Sequence, residues 1–445
     1  MRHLLIFSTL LTTLYITTGC GVEKPKNIIL CIGDGCGYNQ IKVASIYKYG
    51  QESGFAFQNF PVALAMSTHS ADGVTYNPKQ AWKQFNYVLN KPTDSAAAAT
   101  AMASGQKTNN GVIAMSPEGD RLETIAERAE KMNKSSGVVT SVQFSHATPA
   151  CFAAHNKSRS NYVQISQEMI LYSQLDVIMG CGHPDYDNNG NIVTDKAYKY
   201  VGGRETWTLI KNGKAGNDAD GDGETEYWYF IEKLDDFTAL MTGETPKRVI
   251  GIPRIHSTLQ QSRGGDEFAQ PYVVANTEGI PNLSQMVSGA LNVLDNNSKG
   301  FFLMIEGGAV DWASHDNQSG RVIEEEIDFA EAVDKVISWV ENYSSWDETL
   351  VIVTGDHETG YLTGPGSGID SSSVDQTWTS IKSVGPSQQP LMEWHTTGHS
   401  NSLIPVYAKG AGSERFFDYA DQHDPVRGKY IDNTEIGKLM FDLWK

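Results

Sequence analysis

The sequence predicts an α/β fold: a doubly wound, mostly parallel central sheet with helices on both faces and an inserted cap segment. Two observations predict it. Short runs of apolar, β-rich residues are hydrophobic on both faces, as strands are when helices cover a sheet from both sides. These runs alternate along the chain with segments of helical spacing, of which 121–134 and 321–343 are the clearest. The predicted strands are 27–32, 137–144, 300–305, 349–353 and 403–408.

Length and charge limit the classes of function. The chain has 445 residues, enough to bury a large core, and carries 35 Lys and Arg against 53 Asp and Glu. The resulting formal net charge of −18 repels a nucleic-acid backbone and excludes nucleic acid as a binding partner. A small anion can bind only where metal ions or fixed arginines reverse the local field. The acidic stretches of the two helical segments are interpreted as solvated faces.

The N-terminus predicts an exported protein. A charged start is followed by an apolar run over 4–16, which is too short to span a bilayer and is typical of an export signal. Gly19-Cys20 resembles a lipobox, so we expect Cys20 to be lipidated and the protein to lie in the periplasm or at the cell surface. Contact with the membrane is then made only through this lipid. The predicted organisation is a signal peptide over 1–19, a tether over 20–26 and one domain over 27–445.

Two loop-rich segments interrupt the alternation of strands and helices. Residues 182–255 are rich in Asp, Asn, Gly and aromatic residues and are interpreted as an inserted cap, whereas 364–398 are interpreted as a lid-like loop. Within the first, 185–190 and 218–223 have the spacing of the start of a calcium loop but lack its closing Glu. Solvated Asx turns are the preferred interpretation, and calcium binding is the alternative.

The cysteines do not predict a disulfide scaffold. No CxxC pair occurs among them, so stability must come from the hydrophobic core. One disulfide remains an open alternative, and the sequence does not choose its partners. The cysteines after Cys20 are Cys31, Cys36, Cys151 and Cys181.

Three of the predicted strands end in a carboxylate beside glycine. Asp34, Glu306 and Asp356 occupy these positions, and His357 follows the last of them. In an open α/β sheet ligands bind at the carboxyl ends of the strands, so these acids are expected to converge on one crevice. A single Asp of this kind is more often a helix cap or a turn residue. Three together, with an imidazole, predict a metal site.

A second group of ligands follows Glu306. Asp311 and His315 are four residues apart and share one face of a helix, as adjacent ligands of one metal do. His399 is a further candidate imidazole, with His395 as its competitor. Carboxylate and imidazole together suit Zn²⁺, whereas an all-oxygen set suits Mg²⁺, so the sequence predicts both metals.

A nucleophile candidate begins an alanine-rich helix. Ser95 follows Asp94 at the start of a run that Gly105 can terminate. The N-terminus of a helix carries free N–H groups and a partial positive charge, which stabilise a phosphoryl group. The alternative is that Asp94 or Ser95 only caps the helix, and the neighbouring metal ligands favour the nucleophile instead.

These motifs together resemble the metal-dependent alkaline phosphatase family. The set comprises IGDG, TDSAAAATA, HATPA with Arg159 eleven residues after Thr148, EGGAVDWASH, TGDHET and the late GHS. The motifs occur in the family's order over about residues 27–410. Each is weak alone, but the ordered set is specific.

The resemblance implies roles for particular residues. Ser95 would form a phosphoserine, Arg159 would bind phosphate oxygens in a bidentate fork, and Asp94 would orient Arg159. The implied ligands of one Zn²⁺ are Asp311, His315 and His399. Those of the other are Asp34, Asp356, His357 and Ser95 Oγ. A Mg²⁺ would be held by Asp34, Thr148 and Glu306.

Two positions depart from the best-known bacterial pattern. His146 stands where that form has an Asp near Mg²⁺, which makes the third metal the least certain of the three. Trp312 stands where it has a Lys that reaches phosphate through water, so product binding should be looser.

The function that the resemblance implies is the hydrolysis of small-molecule phosphate monoesters to an alcohol and inorganic phosphate. The alternatives are a phosphodiesterase or another ester hydrolase on the same scaffold, and a lipid-anchored protein that binds without catalysis. A homodimer is also left open.

Overall fold

The computed structural model describes residues 24–369 and 375–445. An eleven-stranded sheet runs through the centre of the molecule. In chain order its strands are β1 (Asn27–Gly33), β2 (Val62–Ser67), β3 (Ser135–Gln143), β4 (Val177–Cys181), β5 (Tyr229–Ile231), β6 (Val249–Gly251), β7 (Phe301–Gly307), β8 (Thr349–Gly355), β9 (Ile404–Gly410), β10 (Gln422–Asp424) and β11 (Gly428–Asp432).

The sheet is mostly parallel, as predicted. Its strand order is β10-β11-β2-β9-β8-β1-β7-β3-β4-β6-β5. β9 runs antiparallel to both of its neighbours, β8 and β2, and β10 runs antiparallel to β11. The other neighbours are parallel. The centre of the sheet, β8-β1-β7-β3, is therefore a parallel unit whose carboxyl ends lie at one edge.

Helices connect the strands. They are α1 (Tyr38–Tyr49), α2 (Pro78–Ala81), α3 (Ser95–Ser104), α4 (Ile125–Lys131), α5 (Ala147–Ala150), α6 (Tyr162–Leu171), α7 (Gly203–Lys211), α8 (Leu234–Leu240), α9 (Leu283–Leu294), α10 (Ala309–His315), α11 (Ser319–Tyr343), α12 (Phe416–Tyr419) and α13 (Thr434–Leu443). Among the described residues, none of these helices has both the length and the apolar character needed to cross a membrane.

Hydrophobic cores lie on both faces of the sheet. In β1, Ile28, Leu30 and Ile32 face one core, while Ile29 and Cys31 face the other. All seven residues of β1 are buried. This two-sided burial explains why the central strands are continuous apolar runs instead of alternating ones.

The acidic stretch of α11 was predicted to be a solvated face, and that prediction is wrong. Glu324, Glu325 and Glu326 are all buried. Glu324 pairs with Arg263 Nη2 at 2.7 Å, and Glu326 accepts a hydrogen bond from the Cys36 thiol at 3.1 Å. Burial raises the pKa of Glu326 to about 8, which favours the protonated acid at neutral pH.

The segment 182–255 supplies β5 and β6 to one edge of the central sheet. It also contains the helices α7 and α8. Its tryptophans Trp207 and Trp228 are buried, and Trp228 Nε1 donates to the carbonyl of Ile170 at 2.7 Å. In the loop 364–398, a short strand pair joins Gly368–Ile369 to Gln376–Thr377.

Several sequence predictions concern features that the structure does not test. The export signal, the lipidation of Cys20 and most of the tether lie outside the described residues. These predictions, the lid role of 364–398 and the homodimer stay predictions. Cys31, Cys36, Cys151 and Cys181 are free and buried, so the open question of a disulfide among these four is answered.

Close packing of two helices fixes the position of α3. All ten residues of α3 are buried, and its small side chains let α13 approach closely. A Cβ atom added to Gly437 of α13 would lie 2.3 Å from the Gly105 nitrogen and 2.8 Å from the Met102 carbonyl oxygen. No side chain fits there unless one helix shifts.

We therefore expect Gly437→Ala to lower the free energy of unfolding by about 1–2 kcal/mol in urea titrations. Overpacking costs about 1–3 kcal/mol, which outweighs the gain in helix propensity of about 1 kcal/mol. Lys438→Ala, at the exposed neighbouring position, is the matched control and should change the stability by less than about 0.5 kcal/mol. Equal stabilities of the two variants would contradict the close approach.

Candidate active site

The strand-end carboxylates converge, as the sequence predicts. Asp34, Glu306 and Asp356 follow or end β1, β7 and β8, which are adjacent in the sheet. All three side chains are completely buried. Register alignment of β1 with both neighbours places the three strand ends at the same level. The acids therefore share one crevice because parallel strands end together.

Asp34, Asp356 and His357 form the first candidate metal group. One ligand atom from each lies within 4.8 Å of the others. His357 Nε2 is 3.5 Å from Asp34 Oδ1 and 3.2 Å from Asp356 Oδ2. Ser95 Oγ is 3.4 Å from Asp34 Oδ1 and 3.3 Å from His357 Nε2. The candidate nucleophile thus borders this group directly.

Buried negative charge dominates the electrostatics of the first group. Burial and the neighbouring carboxylates Asp356, Asp311 and Glu306 raise the pKa of Asp34 well above its usual range. Burial and Asp311 raise the pKa of Asp356 to about 8. The Oδ2 atoms of Asp34 and Asp356 are buried and have no hydrogen-bond partner. A buried carboxylate oxygen without a partner is costly, and a dication removes that cost.

The second group is held by α10 and by the short strand His399–Ser400. His315 Nε2 lies 3.3 Å from Asp311 Oδ2, and His399 Nε2 lies 3.6 Å from Asp311 Oδ1. The two Nε2 atoms are 3.1 Å apart. Asp311, His357 and His399 offer ligand atoms within 4.8 Å of one another, so His357 borders both groups.

Backbone carbonyls fix the orientation of these imidazoles. His315 Nδ1 lies 2.5 Å from the Thr397 carbonyl oxygen, and His399 Nδ1 lies 2.8 Å from that of Thr93. Each carbonyl selects the tautomer with hydrogen on Nδ1, which leaves a lone pair on each Nε2. Two lone pairs that face each other beside a carboxylate repel unless a proton or a metal lies between them.

His395 lies apart from the two groups, in agreement with the choice of His399 that the family resemblance implies. Its Nε2 lies 2.7 Å from Thr363 Oγ1, and its ring packs against Phe85 and Tyr361. His399, in contrast, stacks on His357 with ring centroids 3.6 Å apart.

Ser95 is the first residue of α3. Asp94 precedes the helix in extended conformation, and its Oδ1 accepts a hydrogen bond from the Ala97 nitrogen. The helix ends at Gly105, whose φ of 73° is left-handed. Asp94 therefore caps the helix, which is the alternative role that the sequence left open for it. Ser95 does not cap the helix, because its Oγ contacts Asp34 and His357.

Arg159 lies against Asp94. Its Nη1 donates to Asp94 Oδ2 at 2.9 Å, and the same oxygen accepts from the Gly111 nitrogen. Although burial opposes the charge, the Asp94 carboxylate raises the pKa of Arg159. The positive charge of Arg159 lowers the pKa of His146, and it opposes the increase in the pKa of Asp34.

Glu306, Thr148 and His146 are the residues predicted to hold or border the third metal. Glu306 Oε1, Thr148 Oγ1 and His146 Nδ1 are buried without hydrogen-bond partners. Burial and the charge of Arg159 lower the pKa of His146 to about 3, so this ring is neutral. Buried polar atoms without partners fit a bound cation.

Two threonines that contact the site were not among the predicted residues. Thr140 Oγ1 makes a short hydrogen bond to Glu306, and Thr359 Oγ1 donates to Asp311 Oδ1 at 2.5 Å. Thr359 is the last residue of the TGDHET motif, so its place beside the metal ligands could have been predicted from the sequence. Thr140 lies inside a buried strand, where only the pairing of β3 with β7 reveals its partner.

The Asp-rich loops show Asx turns. Asp187 Oδ1 accepts from the nitrogens of Asn189 and Asn191, and Asp218 accepts from those of Gly221 and Gly223. Asp218, Asp220 and Glu226 offer oxygens within 4.8 Å of one another, but Lys247 pairs with Asp220 at 2.7 Å. These contacts are those of the solvated turns that the sequence favours.

The family model for alkaline phosphatase matches residues 25–369. The chain belongs to the alkaline phosphatase family. Among curated relatives, alkaline phosphatase 3 of Bacillus subtilis is 28% identical, over 94% of this chain and 89% of the relative. Alkaline phosphatase H of Pseudomonas aeruginosa is 29% identical, over 75% of this chain and 70% of the relative.

Solved alkaline phosphatases share the architecture. The structure of the enzyme from the Antarctic bacterium TAB5 matches with a TM-score of 0.65 and 26% identity, covering 95% of this chain and 99% of that one. The resemblance inferred from the motifs is thus confirmed at the level of family and fold.

Proposed function

We propose that this alkaline phosphatase hydrolyses phosphate monoesters to an alcohol and inorganic phosphate, with Ser95 as the nucleophile. The observation that carries the proposal is the convergence of Ser95 Oγ with two groups of carboxylate and imidazole donors. In particular, the Nε2 atoms of His315 and His399 are 3.1 Å apart, while both Nδ1 atoms face backbone carbonyls.

The donor set fits metal ions. Unpartnered buried oxygens of Asp34, Asp356 and Glu306, together with the facing imidazoles, are arranged as ligands. The mixture of imidazole and carboxylate suits two Zn²⁺, and Glu306 with Thr148 and Asp34 suits Mg²⁺. We propose Asp311, His315 and His399 for one Zn²⁺ and Asp34, Asp356 and His357 for the other. When bound, the metals would lower the pKa of hydroxyl groups and stabilise the charge on phosphate and alcohol oxygens.

The chain's own residues then position the reaction. Ser95 Oγ attacks phosphorus, the bond from phosphorus to the alcohol oxygen breaks, and a phosphoserine is formed. Water attacks the phosphoserine, which releases inorganic phosphate and restores the hydroxyl. Because Asp94 holds one side of the Arg159 guanidinium, the other N–H groups remain available to bind two phosphate oxygens. The N-terminus of α3 adds its partial positive charge at the same place.

The test separates this function from other ester hydrolases. We expect 4-nitrophenyl phosphate to be cleaved with a kcat/KM at least about a hundredfold above those of the matching diester and sulfate ester. The reason is that Arg159 and the metal groups are arranged to meet a dianion, whereas a diester or sulfate ester carries one charge. Faster turnover of the diester would replace the proposal with a phosphodiesterase, and no turnover of any ester would favour a binding protein.

A further inference from the structure

A row of aromatic side chains borders the candidate active site. This aromatic rim consists of Trp312, His146, Tyr162 and Tyr200. The ring centroids of Trp312 and His146 are 5.7 Å apart, those of His146 and Tyr162 are 6.3 Å apart, and those of Tyr162 and Tyr200 are 4.8 Å apart. Each ring is therefore close to the next along the row, at interplanar angles of 60°, 17° and 67°.

One end of the aromatic rim lies at the residues proposed to bind phosphate. Trp312 directly follows Asp311 in α10, and Tyr162 begins α6 three residues after Arg159. Arg159 is close enough to both His146 and Tyr162 for its positive charge to favour a lower pKa in each. The other end, at Tyr200, belongs to the segment 182–255. The aromatic rim thus extends from the phosphate position toward that segment.

Hydrogen-bond donors along the aromatic rim have no partner in the part of the chain that the structure describes. They are Trp312 Nε1 and the hydroxyl groups of Tyr162 and Tyr200. Lys199 Nζ, on an exposed residue, lies 5.4 Å from the Tyr162 ring centroid and 4.6 Å from that of Tyr200, with no carboxylate within ion-pair distance among the described residues. The aromatic rim therefore offers aromatic rings, free donors and one cation that is held over two of the rings and not by a carboxylate.

Core packing does not account for this arrangement. Trp228, a core residue, is 2% exposed and its indole N–H has a backbone partner. Trp312, Tyr162 and Tyr200 are half-buried, and their polar atoms are unpaired. Half-exposed rings with free donors are typical of sites that bind a flat ligand carrying acceptors.

We propose that the aromatic rim is a leaving-group subsite that favours monoesters whose alcohol carries a planar ring, nucleoside monophosphates in particular. The proposal rests on the proposed function, because it places the phosphoryl group at Ser95 and Arg159. The ring of the alcohol packs on Tyr162 and Trp312, where stacking of a base on an aromatic side chain contributes about 1–3 kcal/mol. The free hydroxyl and indole donors face the acceptors of the base and sugar.

The kinetic test compares two substrates with the same primary alcohol, adenosine 5′-monophosphate and ribose 5-phosphate. We expect the wild type to prefer the nucleotide about tenfold in kcat/KM, and Tyr162→Leu to reduce this ratio about fivefold. Tyr162→Phe keeps the ring and should keep most of the preference. Tyr172→Leu is the matched control, since Tyr172 is 73% exposed and follows the far end of α6, about 15 Å away, and its ratio should not change. A wild-type ratio near one, or an equal loss on both substrates in Tyr162→Leu, would overturn the subsite.

A binding measurement separates the subsite from the proposed function. Equilibrium dialysis with labelled adenosine is expected to show saturable binding that Tyr162→Leu weakens several-fold and Tyr172→Leu does not. Saturable adenosine binding without turnover of either phosphate would contradict the proposed function, and would leave the aromatic rim as an adenosine-binding surface without a leaving-group role. Turnover of both phosphates without saturable adenosine binding would support the proposed function and contradict the subsite.

Discussion

Replacing Ser95 with alanine is expected to lower kcat for 4-nitrophenyl phosphate by roughly 10³-fold or more. Its hydroxyl oxygen is the group that borders both Asp34 and His357, at 3.4 and 3.3 Å. Removing it takes away the atom that accepts the phosphoryl group, while the remaining donors still surround the site. Bound metal should therefore persist in the variant, as elemental analysis would show.

Ser104→Ala is the matched control for this variant. Ser104 ends the same helix, is buried and donates to the Thr100 carbonyl at 2.7 Å, so its loss tests the helix without touching the site. We expect its kcat to stay within about twofold of the wild type. A Ser95→Ala enzyme with more than a tenth of wild-type activity would rule out Ser95 as nucleophile.

Removal of metal by prolonged chelation is expected to reduce turnover to below about 1% of the starting rate, and Zn²⁺ should restore it. Without cations, the buried carboxylates of Asp34, Asp356 and Glu306 protonate or repel, as their raised pKa values indicate. We expect Mg²⁺ added after Zn²⁺ to increase the rate further. Full activity after chelation, with no metal detected, would contradict the assignment of these residues as ligands.

A pair of aspartate variants locates the metal. Asp311→Asn should lose about one zinc per chain, because Asp311 faces both His315 and His399. Asp316→Asn changes an exposed aspartate next to His315 and should retain all the zinc. Equal zinc contents in the two variants would show that Asp311 is not a ligand.

Most of the central sheet follows from local pattern. The runs at 27–32 and 349–353 are hydrophobic at every position because helices cover both faces, so they stand out from amphipathic surface strands. The antiparallel direction of β9 is not visible in its composition, since a buried strand has the same apolar residues in either direction. Likewise, α11 looks amphipathic and acidic, but only the tertiary partners Arg263 and Cys36 reveal that its glutamates are buried.

The site was predictable where chemistry is tied to strand ends and to helix spacing. Asp34, Glu306 and Asp356 come together because their strands are neighbours, and Asp311 faces His315 because they are one helical turn apart. The choice of His399 over His395 came from the resemblance of the late GHS motif to the family pattern. Spacing alone does not make this choice, because it depends on how the chain after 364–398 returns to the sheet. Thr140 was missed for the same reason: its partner lies on a distant segment.

Acid quenching during turnover of a radiolabelled monoester, followed by peptide mapping, tests the central claim most directly. The account predicts covalent label on the peptide that contains Ser95, absent from Ser95→Ala and retained in Ser104→Ala. Label on a different residue, or active enzyme that accumulates no acid-stable phosphoprotein at any quench pH, would contradict it.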